Sequence, residues 1–148
     1  MYLFSGWHLH TLDEKGRVAI PSLFRESLKK AKEETLVIVN SFGSTCLDVY
    51  PASEWQAHLA RIAEMSQANK QVRDYRRFYV SSAVDAPMDK FGRILIPSAQ
   101  RDYARLDKEV LVSGNLEKLE IWNRSEYERA REQVDPERIL TTLSELGL

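Results

Sequence analysis

Cysteine is nearly absent, with Cys46 alone among 148 residues. That excludes an intramolecular disulfide framework and any cysteine-rich zinc centre, and it fits a reducing compartment. Long apolar runs are missing as well. None approaches the ~20 residues that a helix needs to cross a bilayer, and Tyr2-Leu3-Phe4 is too short, and lacks the basic leader, for an export signal. A cytoplasmic protein without a membrane partner is expected. Nor is there a surplus of positive charge: Lys and Arg total 21 against 22 Asp and Glu, so the net charge of −1 excludes a uniformly basic nucleic-acid coat. The signatures of catalysis are absent too, with no Gly-x-Ser-x-Gly elbow, no phosphate-binding glycine loop and no metal-ligand cluster. His8 and His10 alternate along one segment, but the only other histidine, His58, lies in another, which leaves too few ligands for a metal. Cys46, beside Leu47 at a strand start, reads as a buried small apolar residue rather than a nucleophile. The residues give no reason to expect an enzyme, a cofactor or a small-molecule substrate.

What the chain does have is a copy of itself. Leu12-Asp13-Glu14-Lys15-Gly16-Arg17-Val18-Ala19-Ile20-Pro21-Ser22 returns as Met88-Asp89-Lys90-Phe91-Gly92-Arg93-Ile94-Leu95-Ile96-Pro97-Ser98, and Arg25 returns as Arg101. A second pair, Leu47-Asp48-Val49-Tyr50 and Leu119-Glu120-Ile121-Trp122, follows in the same order, so the chain is a tandem duplication. Each Asp-x-x-Gly-Arg is a turn in which the Asp side chain accepts backbone N–H groups and Gly supplies a positive φ. A short β-branched strand follows, and Pro-Ser then suits a helix start.

Charge gathers at the motifs. Residues 12–32 carry six basic and three acidic side chains, residues 69–77 four and one, and residues 88–108 five and three. Residues 117–148 reverse the sign, with five basic and eight acidic groups.

Between the motifs the patterning predicts strands at 6–12, 36–39, 47–50, 83–88, 110–113 and 119–122. It predicts a helix over 21–32 with Phe24, Leu28 and Ala31 on one face. Ser53-Glu54-Trp55-Gln56 and Ser125-Glu126-Tyr127-Glu128 read as capping boxes that open further helices. Residues 69–80 contain no Pro or Gly but three aromatics, which predicts a helical connector with Val72, Tyr75 and Tyr79 packed along one stripe. Asp135-Pro136 starts a last helix with Ile139, Leu140, Leu143 and Leu146 on one side and Gly147 at its end. The expected organisation is a first repeat with trailing helix (1–68), a helical connector (69–80), a second repeat (81–134) and a C-terminal helix (135–148).

Two Asp-x-x-x-Arg motifs running into Gly-Arg-apolar-x-Ile-Pro-Ser, each followed by a Ser-Glu-aromatic segment, resemble the MraZ family of bacterial regulators of the division and cell-wall gene cluster. The resemblance covers nearly the whole chain. It implies an α+β fold of two tandem AbrB-like swapped-hairpin repeats, and because each copy has too few strands to enclose a core, a pseudo-two-fold β-barrel flanked by helices is expected. It also implies a sequence-specific transcription regulator that binds double-stranded promoter DNA at short direct repeats, assembled as a ring-shaped homo-oligomer of octamer size or larger and associated with the nucleoid.

The expected DNA-binding residues are Lys15, Arg17, Lys90 and Arg93, with Asp13, Gly16, Asp89 and Gly92 ordering the turns and Arg25 and Arg101 as supporting basic residues. An arginine fork can grip a guanine O6/N7 edge or a phosphate in two bonds. The residues alone leave open a simpler use, an internal ion pair in which each Asp pins its own Arg; the family resemblance favours DNA. A ring-forming protein-binding scaffold without a DNA role is the other reading, and salt dependence separates the two.

Overall fold

Strand pairing, rather than chain order, decides which residues share the core. In the computed structural model, which describes residues 2–148, copy one contributes β1 (Trp7–Thr11), β2 (Arg17–Ala19), α1 (Ser22–Lys30), β3 (Thr35–Asn40), β4 (Cys46–Pro51) and α2 (Ala52–Ala63). The connector forms α3 (Lys70–Phe78) and a short 3-10 turn at Val80–Ser82. Copy two contributes β5 (Val84–Pro87), β6 (Arg93–Leu95), α4 (Ser98–Tyr103), β7 (Glu109–Asn115), β8 (Lys118–Asn123) and α5 (Arg124–Glu132), and α6 (Pro136–Glu145) closes the chain.

Six strands form one sheet in the order β1-β7-β8-β4-β3-β5, every pair antiparallel, and β2 pairs with β6 in a separate ribbon. The first strand of each copy therefore sits on the other copy. Corresponding residues meet symmetrically as well: Val18 faces Ile94 in the ribbon, and Asp48 faces Glu120 where β4 meets β8. The fold is α+β, but the sheet is not closed into a barrel, since β1 and β5 are its edges. The Asp turns join the sheet to the ribbon: Asp13 N–H donates to Arg17 O at the start of β2 and Gly16 N–H to Asp13 O, and Asp89 and Gly92 do the same before β6.

The ribbon is sewn to both loops by two further bonds, Ile20 N–H to Gly92 O and Ile96 N–H to Gly16 O, each 2.9 Å. Val18, Ile20, Ile94 and Ile96 then point inward with no exposure and join Phe24, Leu28, Leu36, Ile38, Leu119 and Ile121 in one core drawn from both copies. Burying each such side chain contributes about 1.5–3 kcal/mol, so neither copy keeps its core without the other. Ala31, expected on the apolar face of α1, is exposed because α1 stops at Lys30.

A second cluster holds the connector in place. Tyr79 is buried against Val37, Val39, Tyr50 and Trp55, with Tyr75 partly buried beside it. Its hydroxyl donates to Asp48 Oδ2 at 2.6 Å and meets the Tyr50 hydroxyl at 2.8 Å, and Lys118 Nζ lies 3.2 Å from the same carboxylate. Burial pushes the Asp48 carboxyl upward, and the bonds from Tyr79 and Lys118 counter that rise.

Two helix starts differ from the expected capping boxes. α2 begins at Ala52 after Pro51, and the Ser53 N–H and hydroxyl both go to the Glu33 carboxylate from the loop after α1. In α5 the cap is Asn123, whose side chain accepts from Glu126 N–H at 3.1 Å. At α6 the sequence reading holds, with the Asp135 side chain accepting from Arg138 N–H and Gly147 at φ 98°.

Candidate nucleic-acid interface

Two loops and the ribbon between them make the site. In the first loop Asp13 Oδ1 accepts from Lys15 N–H (2.9 Å) and Arg17 N–H (2.8 Å), while Oδ2 takes Arg17 Nε at 2.7 Å. In the second, Asp89 Oδ1 accepts from Phe91 and Arg93 N–H at 2.9 Å and Oδ2 takes Arg93 Nε at 2.8 Å. The bonds from the Arg17 and Arg93 backbone N–H groups, with those from the side chains, hold both carboxyls below the ordinary Asp value of 3.8. Gly16 and Gly92 adopt φ 84° and 75°, which only glycine takes without strain.

The ion pair and the reading role are compatible in this geometry. Each Asp holds its arginine by the inner nitrogen, and among the described residues the Nη groups of Arg17 and Arg93 make no hydrogen bond. The carboxylate anchors each guanidinium through Nε and leaves the Nη donors of both arginines free for a further partner, the kind of donor pair that makes two parallel bonds. Both side chains are about one-third exposed, at 32% and 30%.

The ribbon sets where those edges lie. Arg17 is opposite Leu95 and Arg93 opposite Ala19, with Val18 and Ile94 buried between them, so period-two alternation puts both arginines on the outer face. Diagonal neighbours on such a ribbon stand roughly 7–8 Å apart. The structure thus brings together Arg17 and Arg93 from sites 76 residues apart in sequence, counting from 17 to 93.

Lys15 and Lys90 are both exposed but do not correspond: Lys15 directly precedes Gly16, whereas Phe91 holds that place before Gly92. Arg25 and Arg101 have a different location from the loop tips. Arg101 reaches from α4 toward copy one, donating from Nη1 to Ile96 O of its own copy (2.9 Å) and to Lys15 O of copy one (3.5 Å), and Arg25 crosses from α1 onto Gly92. Sequence reasoning gave these two a supporting role by their charge and missed that they brace the opposite copy's loop. The repeat was the available signal, because both lie at the same offset from their own motif.

A concavity of about 810 Å³ lies beside the second loop and is lined by Arg25, Lys29, Lys32, Asp89 and Lys90 together with Glu33 and Glu34. It is open and mixed in charge. The His8 ring meets Phe24 edge-on, with centroids 5.4 Å apart. Cys46 Sγ approaches the Asp48 and Glu120 carboxylates within 4.8 Å, but Lys118 already lies on Asp48, and Trp122 Nε1 donates to Glu120. Burial pushes the Cys46 thiol up to about 12, so it is no nucleophile at neutral pH.

Residues 3–78 and 80–142 match the family described as "MraZ protein, putative antitoxin-like". A protein named "Transcriptional regulator MraZ" from Lachnoclostridium phytofermentans is 38% identical over 146 residues, 99% of each chain. Proteins of the same name from Syntrophobacter fumaroxidans (40% over 125 residues, 84% of this chain and 82% of that one) and a Marinomonas species (37% over 130 residues, 88% and 86%) are also similar. Repeat, loop geometry and these relatives agree, and the chain belongs to the MraZ family.

Proposed function

We propose that the chain is a transcription regulator that binds duplex DNA with the outer face of the β2/β6 ribbon and its two loops. One observation carries this: two arginines, each bonded through Nε to its own aspartate with its Nη groups unbonded among the described residues, lie on one face of a two-stranded ribbon. A two-stranded ribbon fits the major groove, where an arginine fork matches guanine O6 and N7. Lys15 and Lys90 add charge beside them, and Asp13, Asp89, Gly16 and Gly92 set the loop shape. Arg25 and Arg101 support the loops from the other copy.

In this reading the two copies are AbrB-like repeats with exchanged strands about a pseudo-two-fold axis, and side-chain packing completes a barrel-like enclosure. The targets are short direct repeats upstream of the division and cell-wall gene cluster. A net charge of −1 permits few phosphate contacts per chain. A ring of chains on repeated sites recovers affinity through effective concentration. Exposed apolar residues supply surfaces for such assembly: Trp7 and Leu9 on the outer face of edge strand β1, and Ile139 and Leu140 on α6 with Leu146 just past its end. Those surfaces also favour the alternative of a protein-binding scaffold.

Fluorescence anisotropy with a labelled duplex from the upstream region, against a shuffled duplex, tests the reading across a salt titration. Tighter binding to the upstream duplex that weakens steeply with salt is expected. Equal affinity for both, or none, would leave the scaffold.

A further inference from the structure

The two loops share one backbone and differ at their tips. Both make the same pair of Asp-to-backbone bonds, the same Asp–Arg ion pair and the same positive φ at glycine. Yet Glu14-Lys15 in the first stands where Lys90-Phe91 stands in the second. The turn asks nothing of that side chain, since Lys15 and Phe91 each contribute only a backbone N–H to the aspartate. Phe91 is nevertheless a large ring left 59% exposed at the apex.

A lone exposed apolar residue is ordinary, but its neighbours here are not. Lys90 Nζ and Arg93 Cζ each lie 5.1 Å from the Phe91 ring centroid. A ring flanked by two cations is poorly matched to an apolar protein surface. It is well matched to a polyanion that displays apolar groups between hydrogen-bond acceptors, as the major groove does where a thymine C5-methyl stands near a guanine edge.

We infer that Phe91 is a specificity-determining residue whose ring packs on the C5-methyl of a thymine close to the guanine held by Arg93. This rests on the DNA-binding reading above. Successive bases rise about 3.4 Å along each strand, so a ring 5.1 Å from the guanidinium reaches the adjoining step or the next. The first loop, with Lys15 in that place, reads no thymine. Two loops on the same frame with unlike tips give the preferred site a direction, which suits direct repeats better than palindromes.

Replacing each thymine of the upstream duplex in turn by deoxyuridine removes single methyl groups and nothing else. Against the full-length chain, one position per bound repeat should weaken binding about 3- to 5-fold, the value of one buried methyl. Phe91→Ala should bind the thymine and uracil versions of that position equally, respond as the wild type does elsewhere, and melt at an unchanged temperature. Phe91→Lys, which restores the first loop's residue, should lose the same preference with a steeper salt dependence. Identical responses of wild type and Phe91→Ala at every thymine, on a duplex that both bind, would overturn the assignment and leave the DNA reading standing. Failure of the wild type to bind any duplex would overturn both.

Discussion

Arg101 of the second copy occupies the space that a side chain at Gly16 of the first would fill, its Nη1 lying 1.5 Å from where a β-carbon would stand. The relationship is reciprocal. Arg25 of the first copy places Cδ 2.2 Å from the corresponding point at Gly92. Each helix braces the other copy's loop, which ties both loops to one rigid frame. An alanine at either glycine must adopt a positive φ and displace an arginine, and a residue held in that backbone region costs about 1–3 kcal/mol. Gly92→Ala should cost more than Gly16→Ala, because it meets Arg25 in mid-chain whereas Arg101 is met mainly at its mobile guanidinium end. Urea unfolding of the two variants reads the difference, and the reverse order would contradict the bracing.

Asp13 and Asp89 titrate below the ordinary carboxylate value, chiefly through the Arg17 and Arg93 backbone N–H groups. A folded value below the unfolded one gives stability that is complete above the unfolded value and disappears as pH falls through the folded one. The stability difference between wild type and the double variant Asp13→Asn, Asp89→Asn should therefore hold constant from neutral pH to about 4 and shrink below it. Urea midpoints measured across that range would contradict the assignment if the gap widened as pH fell.

Tyr79 uses its one hydroxyl proton on Asp48, so the Tyr50 hydroxyl must be the donor in the bond between the two tyrosines. Tyr79→Phe leaves the buried Asp48 carboxylate with one donor fewer and should cost about 1–3 kcal/mol. Tyr50→Phe keeps the bond to Asp48 and should cost less. Thermal unfolding compares them directly, with equal losses counting against the proposed direction of the bonds.

Cys46 is fully buried, with its thiol pushed up to about 12. A chromogenic disulfide reagent should leave the native protein unlabelled and react promptly once urea unfolds it. Fast stoichiometric labelling of native protein would contradict the packing around β4.

Much of this architecture was legible because a duplication exposes its own frame. Gly-Arg-apolar-x-Ile-Pro-Ser occurring twice placed the two turns and the short apolar strand that follows each. Exchange of β1 and β5 between copies was not legible in the strands' own pattern, since an edge strand's partner depends on tertiary closure; only the family resemblance, with its swapped hairpins, implied it. The caps failed for a related reason: Ser53 looks like a local cap, but Glu33 supplies the acceptor from 20 residues upstream. In β1 the histidines turn inward while Trp7 and Leu9 face out, an inversion of simple alternation that points to a covering surface. The crossing of Arg25 and Arg101 needed three-dimensional proximity to be seen, although the difference between Lys15 and Phe91 could be read by aligning the motifs on Gly-Arg.

The central claim is that Arg17 and Arg93 contact DNA while their aspartates hold them. The most direct measurement is operator affinity of the double variant Arg17→Ala, Arg93→Ala at matched folded fraction, alongside its melting temperature. Each good bidentate base contact contributes about 1–3 kcal/mol, whereas a solvent-screened surface ion pair adds little to stability. Specific binding should disappear while melting changes little. A clear fall in melting temperature with operator affinity retained per folded molecule would show instead that the arginines only pin their turns.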